Sequence, residues 1–125
     1  MTFPFPSVQG GHFIAAAATE GELWTWGAGT AGKHAQNNTT DYSSPVQIGA
    51  ATDWTFCDGC SNAAMFINSA GKLYSVGAGV EGTLGLGNVT GYSVLKQVGA
   101  LTDWDGGAFG SYRRAMKVKS DGTLW

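Results

Sequence analysis

The sequence repeats itself at a spacing of 50 residues, and this repeat constrains the fold more than any other feature. When residues 21–54 are placed on residues 71–104, sixteen of thirty-four positions are identical, where average residue usage would give about two by chance. A third copy follows at a spacing of 51, in which residues 65–73 match residues 116–124 at several positions. Such a sequence folds as similar units that stack against their neighbours.

Each unit contains four short strand-like runs separated by turns. In the second unit, the apolar or alternating runs are Val46–Ile48, Trp54–Cys57, Ala63–Ile67 and Lys72–Val76. The turn Asn68–Gly71 ends in a glycine, which suits a tight hairpin. Four antiparallel strands in every ~50 residues predict an all-β fold built from β-propeller blades.

The predicted blades form a single repeat domain over residues 1–125. The strand count gives a partial blade at 1–27, a complete blade at 28–77 and a blade truncated in its last strand at 78–125, or about two and three-quarter blades of a partial propeller. Such a fragment alone would expose apolar faces and unpaired edges. We therefore expect the chain to continue beyond Trp125 or to associate with other copies rather than to be a free monomer, and Met1 to be a true start.

Composition argues against several classes of protein. Only 13% of the 125 residues are charged, against about 25% in an average domain, which argues against coiled coils and acidic disordered chains. The formal net charge of −2 argues against binding to a phosphate backbone, so we expect no nucleic-acid partner. No apolar run approaches ~20 residues and the N-terminus lacks a basic region, so we expect neither membrane insertion nor a signal peptide.

No arrangement of residues in the sequence predicts an enzyme, a metal or a cofactor. Cys57 and Cys60 form one C-x-x-C pair, whereas structural zinc needs four ligands and the histidines, His12 and His34, lie far away in sequence. Two thiols flanking a turn are the main interpretation, and a strained disulfide or a metal or redox role is the alternative. Residues 77–82 fit the dinucleotide pattern G-x-G-x-x-G but do not lead into a helix.

Two stretches resemble the signature strand of the regulator of chromosome condensation repeat family. They are Gly21–Gly29, GELWTWGAG, and Gly71–Gly79, GKLYSVGAG. Gly82–Asn88 is similar to that family's G-x-L-G-x-G loop. The tail of each unit, SPVQIG at residues 44–49 followed by Thr-Asp-Trp at 52–54, resembles the bacterial and phage branch more than the eukaryotic one.

The resemblance extends over residues 10–125 and implies a seven-bladed propeller. One loop departs from the pattern, because residues 32–38 lack the Leu-Gly-Leu-Gly core, and we expect this loop to be rearranged. The family's eukaryotic activities, nucleotide exchange on a small GTPase and chromatin docking, resemble properties of particular loops and a basic tail that nothing here matches. The resemblance therefore favours a rigid interaction scaffold.

Repeated leucine, aromatic and glycine positions are expected to be structural. The leucine and aromatic pairs should pack between blades, and the tryptophans after Thr-Asp should act as wedges. The set comprises Gly21, Leu23, Trp24, Gly27, Trp54, Gly71, Leu73, Tyr74, Gly77, Trp104, Gly122, Leu124 and Trp125. The alternative is a lectin-like surface on which exposed Trp54 and Trp104 stack on a glycan.

Four of the seven basic residues lie close together near the end of the chain: Arg113, Arg114, Lys117 and Lys119. Lys117 and Lys119 alternate with apolar residues, so they share one face of a strand. They are expected either to protect a solvated outer strand from edge pairing or to form the candidate interaction site for an acidic partner.

These observations together predict a non-enzymatic structural or adhesive propeller scaffold. We expect a phage virion or tail protein, or a bacterial surface component, that mediates protein–protein assembly or receptor attachment after synthesis in the cytoplasm. Its partners would be other copies of itself, the remainder of a longer chain or neighbouring virion proteins, with a surface glycan as a further candidate. The alternatives are an intracellular adaptor or small-GTPase exchange factor, and a glycan-binding propeller.

Overall fold

Three antiparallel sheets follow one another along the chain in a computed structural model that describes residues 7–9, 13–17, 20–59, 61–110 and 114–125, with side chains for 20–59, 61–106 and 115–125. The first sheet contains β1 (Ser7–Gln9), β2 (Phe13–Ala17), β3 (Leu23–Gly27) and β4 (Tyr42–Gln47). The second contains β5 (Trp54–Gly59), β6 (Ala63–Asn68), β7 (Leu73–Gly77) and β8 (Tyr92–Gln97). The third contains β9 (Trp104–Gly110) and β10 (Arg114–Lys119), and Leu124 forms a single bridge to Val118. The predicted all-β fold of four-stranded antiparallel sheets is confirmed.

The boundaries of the sheets differ from those of the predicted blades. β4 pairs with β3, where Trp24 lies opposite Gln47, so the run that was predicted to open the second blade instead closes the first sheet. β8 pairs with β7 in the same way. A repeat specifies the length of its unit but not the strand at which a sheet begins, and the loop before β4 is long enough to return to either neighbour. The sheets span 7–47, 54–97 and 104–119, instead of blades at 1–27, 28–77 and 78–125.

The connection between successive sheets crosses the hairpin turn of the preceding sheet. The amide of Trp104 donates to the carbonyl oxygen of Gly71 at 3.1 Å, and the amide of Trp54 donates to Gly21 at 3.0 Å. A Cβ at Gly71 would collide with the carbonyl oxygen of Thr102, because the connection passes directly over the turn. The repeated glycine therefore packs directly against the repeated Thr-Asp-Trp segment.

Side chains alternate along β6 between two cores. Ala64 and Phe66 belong to the core between the first and second sheets, whereas Met65 and Ile67 belong to the core between the second and third. Trp54 packs edge-on against Tyr74, with ring centroids 5.2 Å apart. Both faces of this sheet are therefore covered by a neighbouring sheet.

The loops that follow β3 and β7, loop L1 (residues 28–41) and loop L2 (residues 78–91), have matching backbones. Each contains four residues with positive φ at equivalent positions. In L1 they are Ala31, Gly32, Ala35 and Asn37 (63°, 75°, 57° and 58°), and in L2 they are Glu81, Gly82, Gly85 and Gly87 (60°, 76°, 68° and 74°). The expected rearrangement of L1 is therefore wrong. L1 keeps the backbone because its contacts hold it, as when the amide of Asn37 donates to the carbonyl oxygen of Ser93 at 2.9 Å.

Candidate functional site

A cavity of ≈ 580 Å³ lies between the second and third sheets. Leu73 and Val98 line it from the second sheet, and Trp104, Ala115 and Lys117 line it from the third. From L2, the lining residues are Glu81, Gly82, Thr83 and Gly85. Trp125, which is 64% exposed, also contacts the cavity. The cavity is therefore a largely apolar groove between the two sheets.

The lining of this cavity corresponds to the core between the first and second sheets. At a spacing of 50 residues, Leu23, Ile48 and Trp54 become Leu73, Val98 and Trp104. At a spacing of 51, Ala64, Phe66 and Tyr74 become Ala115, Lys117 and Trp125. The first core also contains Val76 and packs against Leu95. The cavity therefore lies where these two side chains would be expected in the next unit.

Lys117 occupies the position of Phe66 and is buried, with only 3% of its surface exposed. Its ammonium lies 3.9 Å from the carboxylate of Asp58 and 4.9 Å above the centre of the Phe56 ring. Burial lowers the pKa of Lys117 from its usual value, and the nearby Asp58 carboxylate opposes this shift. Lys117 is therefore neither part of a solvated outer strand nor accessible to an acidic partner, in contrast to both predictions. The physical reason is that this face of β10 is covered by the second sheet.

The rest of the predicted basic patch is placed differently. Lys119 pairs with Asp103 at 2.7 Å, and this hydrogen bond raises the pKa of Lys119. Its ammonium also lies 5.6 Å from the centre of the Trp125 ring. Arg113 lies outside the described residues, and for Arg114 only the backbone in β10 is described. Lys119 is thus engaged with its own sheet.

L1 carries two buried basic side chains that the sequence analysis did not single out. Lys33 and His34, each 1% exposed, take the places of Thr83 and Leu84 in L2. The ammonium of Lys33 donates to the carbonyl oxygen of Ser61, which ties L1 to the second sheet. His34 lies 3.0 Å from the carbonyl oxygen of Gly27, to which its neutral Nε2–H tautomer can donate.

Burial lowers the pKa of His34 below its usual value of 6.5, and the neighbouring Lys33 adds to the shift. The hydrogen bond to Gly27 and the carboxylate of Asp41 oppose it. The His34 ring also packs edge-on against Tyr42 at 5.2 Å. The alignment of residues 33–34 with 83–84 was the sequence signal for this pair, since Leu84 marks an interior position.

The repeated residues fall into buried and exposed groups. Gly21 and Gly71 lie in the hairpin turns, Gly27 and Gly77 end β3 and β7 with positive φ, and Leu23, Leu73 and Trp54 are buried. Trp24, Tyr74 and Trp104 are half-buried. Gly122, Leu124 and Trp125 are exposed. With 7% of its surface exposed, Trp54 has no free face for a sugar, so the glycan hypothesis loses one of its two residues.

The remaining candidates for chemistry are limited within the described part of the chain. Cys57 is buried, and Cys60 lies outside the described residues. No group of three or more His, Cys, Asp or Glu side chains among the residues with described positions is close enough together to hold a metal ion. In that same part of the chain, no helix has the length and apolar character needed to cross a membrane.

Comparison with known proteins identifies the fold. The sequence matches no family model and no curated protein sequence. The structure is similar to human WBSCR16 (TM-score 0.76, 18% identity, 92% of this chain and 30% of that one). It is also similar to yeast RCC1 (Prp20) in the crystal structure with Kap60 (0.75, 12%, 92% and 30%), and to Prp20p from Saccharomyces cerevisiae (0.68, 16%, 82% and 28%). The chain spans about 30% of the length of these RCC1-like propellers and has the fold of part of such a β-propeller.

Proposed function

We propose that this chain is a scaffold for protein–protein assembly and not an enzyme. The observation that carries the proposal is the fold of stacked antiparallel sheets, which this chain shares with RCC1-like propellers, one of which has been crystallised with a protein partner. The buried basic side chains Lys33 and Lys117 meanwhile join neighbouring sheets.

The structural neighbours support a role in binding proteins. RCC1 (Prp20) is found in a complex with Kap60, and Prp20p has been examined for binding to Gsp1p and histones. Those partners belong to those proteins. They support the view that propellers of this fold present surfaces to other proteins, which is the function proposed here.

A finer proposal places the scaffold in a phage virion or tail, or on a bacterial surface. It is supported by residues 44–49 and 52–54, which resemble the phage and bacterial branch of the repeat. Quantitative mass spectrometry of salt-washed phage particles and of washed cell envelopes tests it. We expect the chain at a fixed ratio to the major structural proteins of one of these fractions. Recovery only in the soluble fraction would contradict this location but not the scaffold function.

The likeness to Prp20p also favours a second candidate, an exchange factor for a small GTPase. Release of a fluorescent guanine nucleotide from a panel of purified small GTPases separates the two functions. A scaffold leaves the release rate unchanged at every concentration of the chain. Acceleration that saturates with concentration would establish the exchange factor instead.

A further inference from the structure

We infer that L1 is an acid-released strap, which packs against the second sheet while His34 is neutral and leaves it when His34 takes up a proton. The first and second sheets themselves stay folded in both states. L1 connects two strands of the first sheet and contacts the second, and both sheets are among the described parts of the chain. This device goes beyond the proposed scaffold function and does not depend on it.

L1 is held on the second sheet by contacts that belong to no strand ladder. The amide of Asn37 donates to the carbonyl oxygen of Ser93 at 2.9 Å, and the ammonium of Lys33 donates to the carbonyl oxygen of Ser61. Ala35 packs against the core between the first and second sheets. Because β3 and β4 pair directly with each other, L1 can leave the second sheet without opening either ladder.

The charge that would drive the release falls next to one that is already buried. Lys33 and His34 are neighbours in sequence, and each is 1% exposed. Histidine is the side chain whose charge ordinarily changes close to neutral pH. Burial lowers the pKa of His34, and Lys33 lowers it further. The protonated ring is therefore more stable in water than under L1, and acid shifts the population towards the released loop.

One carboxylate near His34 opposes this effect without removing it. Asp41 favours the protonated ring, but it is exposed and already accepts the amide of Gly29 at 2.7 Å. β4 presents the ring of Tyr42 edge-on, with its centroid 5.2 Å from that of His34. Because the pKa of His34 is lowered with Asp41 present, the charge remains unfavourable in the closed loop.

The second sheet supplies no compensating charge. β7 and β8 pack against the turn Thr30–Gly32 of L1, and their titratable side chains are Tyr74, Tyr92 and Lys96. The ammonium of Lys96 lies 5.0 Å above the centre of the Tyr92 ring. In β5, Asp58 faces Lys117 of the third sheet. Among the described residues of the second sheet, none carries a charge that shifts the pKa of His34.

L2 has a hydrogen bond that L1 lacks at the same position. Leu84 takes the place of His34, and its carbonyl oxygen accepts a hydrogen bond of 2.9 Å from the hydroxyl of Ser75. Thr25 is the equivalent of Ser75 and is fully buried, but its hydroxyl has no hydrogen-bond partner among the described residues. L1 is therefore held less firmly by its own sheet than L2 is.

The backbone of L1 also favours release. Ala35 and Asn37 have φ of 57° and 58°, where L2 has Gly85 and Gly87. A Cβ disfavours this left-handed conformation, so the closed state of L1 is held against strain that the released loop does not carry. L1 thus combines an ionisable residue with a closed state that depends on few contacts.

Amide hydrogen exchange of the full chain, resolved by NMR and corrected for the intrinsic rate, tests the release. Between about pH 7.5 and pH 5, which bracket the ~6.5 pKa of histidine, the protection of the Ala35 and Asn37 amides should fall roughly tenfold or more. Gly85 of L2 is the internal control, because its amide makes the same bond as that of Ala35, each at 3.0 Å. It should keep its protection, as should Phe66 in β6.

Three variants assign the response to His34. His34→Leu gives L1 the residue that L2 carries, and its L1 amides should be protected equally at both pH values. His34→Lys keeps a charge at this position, so its L1 amides should be poorly protected at both. His12→Gln removes the other histidine and should behave as the wild type. Circular dichroism checks that the sheets form in each variant.

Equal protection of L1 at both pH values in the wild type would overturn the strap, as would an unchanged acid response in His34→Leu. A parallel loss of protection in β6 would show that acid unfolds the whole chain instead of releasing L1. An equal loss in L2 would assign the response to a feature that the two loops share. Either of these results also overturns the inference.

Discussion

Lys117 carries an ammonium group into a position that Phe66 fills one sheet earlier. Two charges leave water when Lys117 and Asp58 are brought together, and such a buried pair is stable only while both members are present. The amide of Gly59 donates to the Asp58 carboxylate at 2.8 Å and supports it. The ion pair between Lys117 and Asp58 therefore links the second and third sheets, whereas the ring of Phe66 fills the equivalent position between the first and second sheets.

Removal of the ammonium should destabilise the protein more than removal of the whole pair. Lys117→Met removes the ammonium that faces the nearly buried Asp58 carboxylate and should lower the free energy of unfolding by about 3 kcal/mol. Lys117→Met with Asp58→Asn should recover most of that loss. Urea unfolding measures both. Equal stability of the wild type and the single variant would show that the pair makes no contribution.

His34 should make stability depend on pH below neutrality. Its folded-state pKa lies below the usual 6.5, so the unfolded chain takes up the proton first. The contribution of neutral His34 is fully present above pH 6.5 and is lost as the pH falls towards the lowered folded-state pKa. Thermal unfolding between about pH 7.5 and pH 5, a range that brackets the ~6.5 pKa of histidine, measures how the stability of the protein changes with pH.

His34→Leu, which introduces the residue found at position 84, should remove the part of the pH dependence of stability that comes from His34. His12→Gln is the control, because it removes the other histidine and should leave the contribution of His34 in place. The interpretation fails if His34→Leu has the same pH profile as the wild type between pH 7.5 and pH 5, the range that brackets the ~6.5 pKa of histidine.

At the scale of the structural element, L1 and L2 show one backbone built from two different sequences. L2 places glycines at 85 and 87, whereas L1 holds Ala35 and Asn37 with φ of 57° and 58°. Left-handed backbone at a residue with a Cβ costs about 1–2 kcal/mol. L1 offsets this cost through its contacts with the second sheet, including the bond between Lys33 and Ser61.

Exchange of alanine and glycine between the loops tests this balance. Ala35→Gly should raise the free energy of unfolding by about 0.5–1 kcal/mol, because the native φ is positive. Gly85→Ala should lower it by about 1 kcal/mol for the same reason. Denaturant unfolding of the two variants should therefore give changes of opposite sign. A shared sign would rule out backbone strain as the cause.

The two connector tryptophans should differ in their contribution to stability. Trp54 is buried against Phe66 and Tyr74, so Trp54→Ala should cost about 3–5 kcal/mol. Trp104 is half-buried and already borders the cavity, so Trp104→Ala should cost less than half as much. Urea unfolding measures both losses. Full stability of Trp54→Ala would return this residue to the list of candidate ligand-binding residues.

The strands and hairpins could be predicted from the sequence, but the burial of the charges could not. The run at 63–67 and the turn at 68–71 lie where the repeat placed them. Alternation along β10 shows that Lys117 and Lys119 share a face, but both faces of a propeller sheet can be covered, so alternation does not identify the solvent side. The match of Lys117 to Phe66 at a spacing of 51 was the available signal. The cavity depends on how residues from separate units pack, which no local pattern records.

At the scale of the whole molecule, the second sheet is the one described sheet with a neighbour on each side. β5 contacts β1 and β2 of the first sheet, and β9 contacts β5 and β6. In repeat folds, stability is the sum of each unit and the contacts with its neighbours. The second sheet should therefore be the most stable part of the chain.

Amide hydrogen exchange should follow this order. β6 is buried from Ala63 to Ile67 and hydrogen-bonded to both β5 and β7, so its amides should exchange most slowly. β10 pairs fully with β9 alone and should exchange fastest among the long strands. Exchange followed by mass spectrometry reads this order directly. Uniform protection across the three sheets would indicate a single cooperative unit instead.

Because L1 contacts Ser93, the packing of the first sheet depends on a residue that is synthesised later. The last strand of the first sheet ends at Gln47, but Ser93, which L1 contacts, is synthesised 46 residues later. At roughly 5–20 residues per second, a ribosome needs several seconds to supply it. During that interval the strands of the first sheet are complete while L1 still lacks its contact with Ser93, so the second unit is needed to finish the packing of the first.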